Sequence, residues 1–352
     1  MRMVIRADSD PHMGSGHVMR MIALSQAWKE IGGSVTWVTR EEASDACQSR
    51  MKNAADRVKW LPTGLSFQKD AALTNETLNE QGACCFVMDG YHFPDEYAGA
   101  ITKRSLRVMV DDIADRKFYD ADVILNPNAY AEPHSYTDKT RTSALLLGHT
   151  YTLLRDDFRK RLPRIYDRSR ASQKRLLVTL GGGDHTQLII FILRSLNSRF
   201  SHGPLEAAVL TGPTHQKSSE IAELARLCRI PVTILDYAED MPSLLDWTSA
   251  ALTGGGSTCW ETAYMGVPTI SLVLAENQRM ITDYTEAHHA SLNLGWHESI
   301  SEVSLCAALS RVLGDPDDAV AMARSARSLI DGQGALRAAQ KIAGLAAVFT
   351  QR

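Results

Sequence analysis

Short β-branched runs alternate with longer stretches of helical period along the whole chain, and this alternation restricts the fold to parallel α/β units. In the first half it predicts strands at Met3–Ile5, Ser34–Thr39, Cys85–Met88, Arg107–Val110, Val123–Leu125 and Ala144–Leu147. A glycine loop and a helix over His17–Ile31 follow the first strand. Val18, Ile22, Leu24, Trp28 and Ile31 keep roughly helical spacing until Gly32-Gly33 stops it. A second series opens with a strand at Leu176–Leu180, the loop Gly181-Gly182-Gly183-Asp184 and a helix over Gln187–Leu196. Strands follow at Leu205–Leu210, Val232–Leu235, Ala250–Leu252 and Thr269–Leu274, and the end of the chain reads as helical, closing with the apolar-faced Ala335–Phe349.

Between the two series, Arg155–Arg175 holds nine Lys/Arg against three Asp, with Pro163 near its middle. It reads as a connection between domains, the other reading being a solvated surface helix. The expected architecture is therefore α/β, with two Rossmann-like domains over 1–155 and 172–334 and a terminal helix over 335–352 packing back across them. A length of 352 residues suits two domains, at about 150 residues each.

Composition narrows the function. Basic and acidic residues nearly cancel, 38 against 41, which argues against a nucleic-acid partner. No apolar run approaches the roughly 18 residues of a membrane span, and the N-terminus lacks a signal-peptide core. The six cysteines are scattered without a CxxC pair. Buried, reduced thiols in a cytoplasmic protein are expected. Neither a tandem repeat nor a low-complexity segment is present.

Three glycine loops fall between a predicted strand and a predicted helix: Gly14-Ser15-Gly16-His17, Gly181-Gly182-Gly183 and Gly254-Gly255-Gly256-Ser257. In open parallel sheets ligands bind at the carboxyl ends of the strands, where such loops lie. Glycine permits close backbone approach, and the free N–H groups of the next helix favour a phosphate. Together the loops, expected to face a common cleft, point to a nucleotide or phosphorylated ligand. None ends in the Gly-Lys-Ser/Thr of a P-loop, and Gly14-x-Gly16 lacks the third glycine of a dinucleotide fingerprint.

In the third loop Ser257 and Thr258 are expected to cap the following helix, with Glu261 one turn on. Glu261 reads either as an acceptor for two ribose hydroxyls or as a first-turn acid on the helix dipole. His17, directly after two glycines at a helix start, is the candidate general base, because a helix N-terminus disfavours the imidazolium. The other histidines, including His288-His289, are read as lacking that setting. Asp8, Asp10, Asp111, Asp112 and Asp115 could suggest a metal site, but most of them read as turn formers at strand ends, and no zinc spacing occurs. A metal-free and cofactor-free site is expected.

Several segments together resemble one family. Arg6-Ala7-Asp8 with Gly14-Ser15-Gly16-His17-Val18-Met19-Arg20 is similar to the opening of the UDP-2,4-diacetamido-2,4,6-trideoxy-β-L-altropyranose hydrolases of pseudaminic acid biosynthesis. The similarity continues at Met88-Asp89-Gly90-Tyr91, Val110–Asp115, Leu125-Asn126-Pro127-Asn128 and Leu153–Phe158. It resumes at Gly181–Asp184, Gly254–Glu261, Ala275-Glu276-Asn277-Gln278-Arg279 and Leu292–Trp296. The resemblance implies a glycosyltransferase-B fold and metal-independent, inverting hydrolysis of a UDP-linked diacetamido sugar, on a route whose product decorates flagella, as in flagellin glycosylation, or a capsule or another polymer. It implies His17 as general base, and Tyr91 and Asn277 around sugar and water. The wider substrate set would be Gly14, Gly16, Arg155, Gly182, Gly183, Gly255, Gly256, Ser257, Thr258, Glu261 and Gln278, with Arg155 or Arg279 helping to meet the charge of the leaving group. His92 departs from the small residue expected after Tyr91.

Other readings stay open at this level. A glycosyltransferase would use the same fold, UDP site and histidine with a hydroxyl replacing water. A nucleotide-sugar-binding module without catalysis, or an epimerase that releases UDP, would share the loops as well.

Overall fold

The computed structural model describes residues 1–10, 14–140, 143–161, 172–200, 204–212 and 219–351. Much of the expected connection within Arg155–Arg175 lies outside the described residues. The chain forms two compact units.

The first unit comprises Met1–Asp10, Ser15–Arg159 and Gly332–Arg352. Its strands are β1 (Arg2–Ala7), β2 (Ser34–Arg40), β3 (Arg57–Leu61), β4 (Cys85–Asp89), β5 (Leu106–Val110), β6 (Val123–Asn126) and β7 (Ala144–Leu147). They form one parallel sheet in the order β3-β2-β1-β4-β5-β6-β7. The order reverses between β1 and β4, the switch point where a doubly wound sheet opens a crevice at its carboxyl edge. Helices α1 (Gly16–Glu30), α2 (Asp45–Ala54), α3 (Phe67–Gln81), α4 (Asp95–Ala100) and the short α5 (Asp156–Arg159) connect or follow these strands. Ser44 and Ser66 cap α2 and α3 by accepting from Cys47 N and Lys69 N.

The second unit comprises Pro11–Gly14 and Lys160–Asp331. Strands β8 (Lys174–Thr179), β9 (Leu205–Leu210), β10 (Val232–Leu235), β11 (Ala250–Gly254), β12 (Thr269–Val273) and β13 (Leu292–Trp296) form a second parallel sheet, in the order β10-β9-β8-β11-β12-β13. Its switch point lies between β8 and β11. The helices are α6 (Thr186–Arg199), α7 (Ser219–Leu227), α8 (Met241–Trp247), α9 (Thr258–Met265), α10 (Arg279–Ala287), α11 (Glu302–Gly314) and α12 (Pro316–Leu329). Asp315 caps α12 by accepting from Asp317 N and Asp318 N, with Pro316 in the first turn.

The last helix, α13 (Gly334–Phe349), packs on α1 within the first unit. Ala335, Ala338, Ala339, Ile342 and Ala346 are buried in the same core as Val18, Met21, Ala23, Ala27 and Trp28. Small side chains allow the helices to pack closely, and at Gly334 a Cβ would stand 2.3 Å from Thr152 O.

Two strands escape the sequence reading, β3 and β13, and both are sheet edges. An edge strand has one exposed flank, so it tolerates Arg57 and Lys59 in β3 and Asn293 and Gly295 in β13. The six cysteines are unpaired, and Cys84 and Cys228 are part-exposed rather than buried.

Candidate active site

In the first unit, the elements that end at the switch point place a cluster of polar side chains there. Gly16 opens α1 directly after the first glycine loop, so His17 sits in its first turn. The His17 ring is buried, 5% exposed, yet its neighbours are polar. Its Nδ1 lies 2.7 Å from Oδ1 of Asp89, the last residue of β4. With Asp89 ionised, Nδ1 carries the proton and donates it, which leaves the ring's lone pair on Nε2.

Arg20 lies one turn further along α1, on the face that carries His17. Its Nε donates to Asp89 Oδ2 at 2.6 Å, while its two terminal nitrogens reach Asp89 Oδ1 at 2.5 Å and Asp112 Oδ1 at 2.6 Å. One terminal nitrogen also comes within 3.1 Å of His17 Nδ1. Both nitrogens are donors aimed at the same Asp89 oxygen, so this approach reflects a shared acceptor rather than a bond between them.

Burial alone would raise the Asp89 carboxyl, but Arg20 and His17 hold it well below the usual carboxylate range. Burial opposes Asp112 in the same way, and Arg20 outweighs it, so Asp112 is also lowered. Asn128 Nδ2 donates to Asp112 Oδ1 at 2.7 Å, and the Tyr91 hydroxyl donates to Asp112 Oδ2. The Tyr91 ring meets His17 edge-on, with centroids 4.8 Å apart, and remains half exposed. Asp111 behaves differently: burial raises its pKa, and it accepts from Tyr136 Oη and Ala114 N.

A second buried network lies beside the first. Arg6 on β1 forms a two-pronged pair with Asp70 at 3.0 and 2.7 Å and reaches Asp8 at 2.5 Å. Asp8 also accepts from Arg40 N at 2.8 Å, and His92 Nε2 lies 2.9 Å from its other oxygen. His92 thus belongs to a charge network held by Arg6. Asp8 and Asp112, expected as turn formers, instead anchor the buried Arg6 and the part-buried Arg20, while Asp111 does hold a turn.

In the second unit, two glycine loops flank the switch point: Gly181-Gly182-Gly183 follows β8 and Gly254–Ser257 joins β11 to α9. Asp184 accepts from Thr186 N and Oγ1 at the start of α6. His185 is the N-cap residue of that helix, so a second histidine shares the helix-start setting that the sequence reading reserved for His17. A Cβ on Gly255 would stand 2.4 Å from Thr282 Cγ2, whereas one on Gly256 would meet nothing within 4 Å. Ser257 is exposed and makes no side-chain cap bond. This corrects the expected cap and keeps its hydroxyl beside the N-terminus of α9. Thr258 and Glu261 lie in the first turn, both part-buried.

Asn277 and Gln278 form the turn before α10, and Gln278 Oε1 accepts from Leu274 N at 3.1 Å. Arg279 is exposed, pairs with Glu276 at 2.9 Å and lies over the Trp296 ring. Arg155 is buried in the first unit against Met19 and over the Phe158 ring, outside the His17 cluster. Gly14 and Gly16 bracket the entry to α1, Gly14 with a left-handed φ of 75°. Asp89 and Arg20 are the functional candidates that residue-type reasoning passed over. Their signal was the i, i+3 spacing of His17 and Arg20 and an acid at the end of a buried strand.

Among the described residues, no group of three His, Cys, Asp or Glu is arranged to hold a metal ion. No helix among them is long and apolar enough to cross a membrane.

Comparison with known proteins agrees with this architecture. Residues 176–342 match the Glycosyltransferase family 28 C-terminal domain. Over the whole chain, the crystal structure of Acinetobacter baumannii MurG is similar, with a TM-score of 0.71, 14% identity and coverage of 98% of this chain and 100% of that one. The fold is glycosyltransferase-B. A putative UDP-N-acetylglucosamine 2-epimerase from Listeria monocytogenes is also similar, with a TM-score of 0.67, 14% identity and coverage of 100% and 97%. Among curated sequences, the spore coat polysaccharide biosynthesis protein SpsG of Bacillus subtilis is 25% identical over 165 residues, 47% of this chain and 48% of that protein. The chain spans about half the length of the curated relatives it matches.

Proposed function

We propose that this protein hydrolyses a UDP-linked 2,4-diacetamido-2,4,6-trideoxyhexose to the free sugar and UDP, as a step of pseudaminic acid biosynthesis. The observation that carries the reading is the His17–Asp89 pair at 2.7 Å, set at the switch point of a glycosyltransferase-B sheet. The match to a family 28 C-terminal domain supports a nucleotide-sugar ligand, as does the Listeria neighbour named for a UDP-sugar.

In this reading His17 Nε2 takes a proton from water, and the oxygen attacks the anomeric carbon. The bond from that carbon to the β-phosphate oxygen breaks, and the configuration inverts. UDP is already a good leaving group, so the protein's tasks are to orient one water and to meet developing charge. A positioned base contributes about 10²–10⁴-fold. Main-chain N–H groups at the Gly254–Ser257 start of α9 would meet the phosphate charge without a metal, and Glu261 would accept from the ribose. Tyr91 and Asn277 would line the sugar.

A second reading is favoured by one specific observation, the glycosyltransferase family 28 match: transfer of the sugar to a hydroxyl acceptor. The test is NMR of the purified protein with UDP-diacetamido-sugars in H₂¹⁸O, with no acceptor added. Hydrolysis yields UDP without label and a sugar carrying ¹⁸O at the anomeric carbon, inverted in the first-formed anomer. Unchanged nucleotide-sugar that is consumed only once an acceptor hydroxyl is added sinks hydrolysis in favour of transfer.

A further inference from the structure

We propose that Arg20 is a positioning residue that acts through the His17–Asp89 pair, locking the Asp89 carboxylate in place and offsetting the charge of Asp112 so that the imidazole faces one uncompensated carboxylate rather than two. The inference rests on the reading of His17 as the general base, and its test keeps the two apart.

The geometry carries it. The Arg20 guanidinium grips both oxygens of Asp89, at 2.6 and 2.5 Å, and holds Asp112 with its remaining arm at 2.6 Å. A planar fork with fixed donor directions fixes the carboxylate plane, and a carboxylate fixed in that plane fixes the ring that donates to it. Among the described residues, the groups facing the imidazole are Asp89 from β4, Arg20 from α1, Asp112 from the loop after β5 and the Tyr91 ring from the loop after β4. Two carboxylates and one guanidinium leave one negative charge while the ring is neutral. When His17 takes up a proton the cluster becomes neutral, which suits a base that must both release and accept one. Without Arg20 two carboxylates would act on the ring, the imidazolium would be favoured, and the base would be blocked until higher pH.

The same cation also organises the substrate side, because Asp112 accepts from Tyr91 Oη and Asn128 Nδ2. Arg20 thereby ties the base to the aromatic ring that borders it.

The experiment follows UDP release against pH in Arg20→Met, Arg20→Lys and Arg20→Met/Asp112→Asn, with UDP binding and thermal melting measured beside it. Arg20→Met is expected to lose about 10–100-fold in kcat, with UDP affinity retained and the acidic limb of kcat/KM moved to higher pH. The double variant has the wild-type charge count, so its limb returns while its plateau stays low, because Asp89 is still unlocked. Arg20→Lys keeps the charge without the fork, so it is expected to keep the limb and lose plateau, and it serves as the test if Arg20→Met does not fold. A wild-type limb in folded Arg20→Met, or a wild-type plateau in Arg20→Lys, overturns the role of Arg20. Turnover retained in His17→Ala overturns the reading of His17 instead.

Discussion

His17 Nδ1 and Asp89 Oδ1 lie 2.7 Å apart, which joins the first turn of α1 to the last residue of β4 across the point where the first sheet reverses its order. The bond directs the lone pair of the ring to Nε2. Replacing Asp89 by Asn presents an amide that can donate to Nδ1 and so stabilise the wrong tautomer. Asp89→Asn is expected to lose about 10²-fold or more in UDP release, and His17→Ala about 10²–10⁴-fold, with UDP binding intact in both. Calorimetric titration with UDP beside a UDP-release assay checks both halves of the expectation.

Gly255 and Gly256 separate packing from the proposed approach of UDP. An added methyl at Gly255 meets Thr282, and at Gly256 it meets open space. Gly256→Ala is therefore expected to melt like wild type and yet bind UDP about tenfold more weakly, a loss of about 1.4 kcal/mol. Gly255→Ala should lower both the melting temperature and the affinity. Wild-type UDP affinity in Gly256→Ala would remove this loop from the nucleotide site.

Arg6 and Asp70 form a buried, two-pronged ion pair, so removing Asp70 leaves the buried Arg6 two hydrogen bonds short, with Asp8 still beside it. Asp70→Ala is expected to cost about 3–5 kcal/mol, read as a lowered midpoint in urea. The pair also sets an acid limit on stability. Burial would raise the Asp70 carboxyl, but Arg6 and Tyr97 outweigh it and the folded pKa is lowered. A lowered folded pKa contributes stability that is fully present above the unfolded value of about 4 and is lost as pH falls through the folded value. The melting temperature should fall steeply below about pH 4 in wild type and less steeply in Asp70→Ala. Parallel melting curves from pH 7 down to 3 provide the comparison.

Ile342 on α13 is fully buried in the core that also contains α1. Ile342→Ala is expected to destabilise the protein by about 2–5 kcal/mol. Gly334→Ala should also destabilise it, through collision with Thr152 rather than through a cavity. Because α1 carries His17, both variants should lose thermal stability first and retain turnover at temperatures below their melting transitions. A wild-type urea midpoint in Ile342→Ala would contradict the packing.

Much of the architecture was legible in the chain itself. Strand cores such as Cys85–Met88 and Val123–Leu125 are continuous apolar runs, because a parallel strand covered on both faces has no polar side to show. Glycine loops marked the points where strands hand over to helices, and the helix start at Gly16-His17 could be read from that punctuation. Among the edge strands, β7 and β10 were legible and β3 and β13 were not. Arg57 and Lys59 in β3, and Gly295 in β13, suit a half-solvated edge and so resemble loop residues.

The sequence alone determined the two parallel α/β series, because hydrophobic period is a local property that each segment carries by itself. It also singled out His17, through two glycines and a helix start. The partners of that histidine were decided only in three dimensions. Asp89 is 72 residues away from His17 and Asp112 is 92 from Arg20. Only the order of strands in the sheet brings these carboxylates to the first turn of α1. The placement of α13 has the same origin: its apolar face was plain from its period, but which helix it would cover depended on the packed core around Trp28.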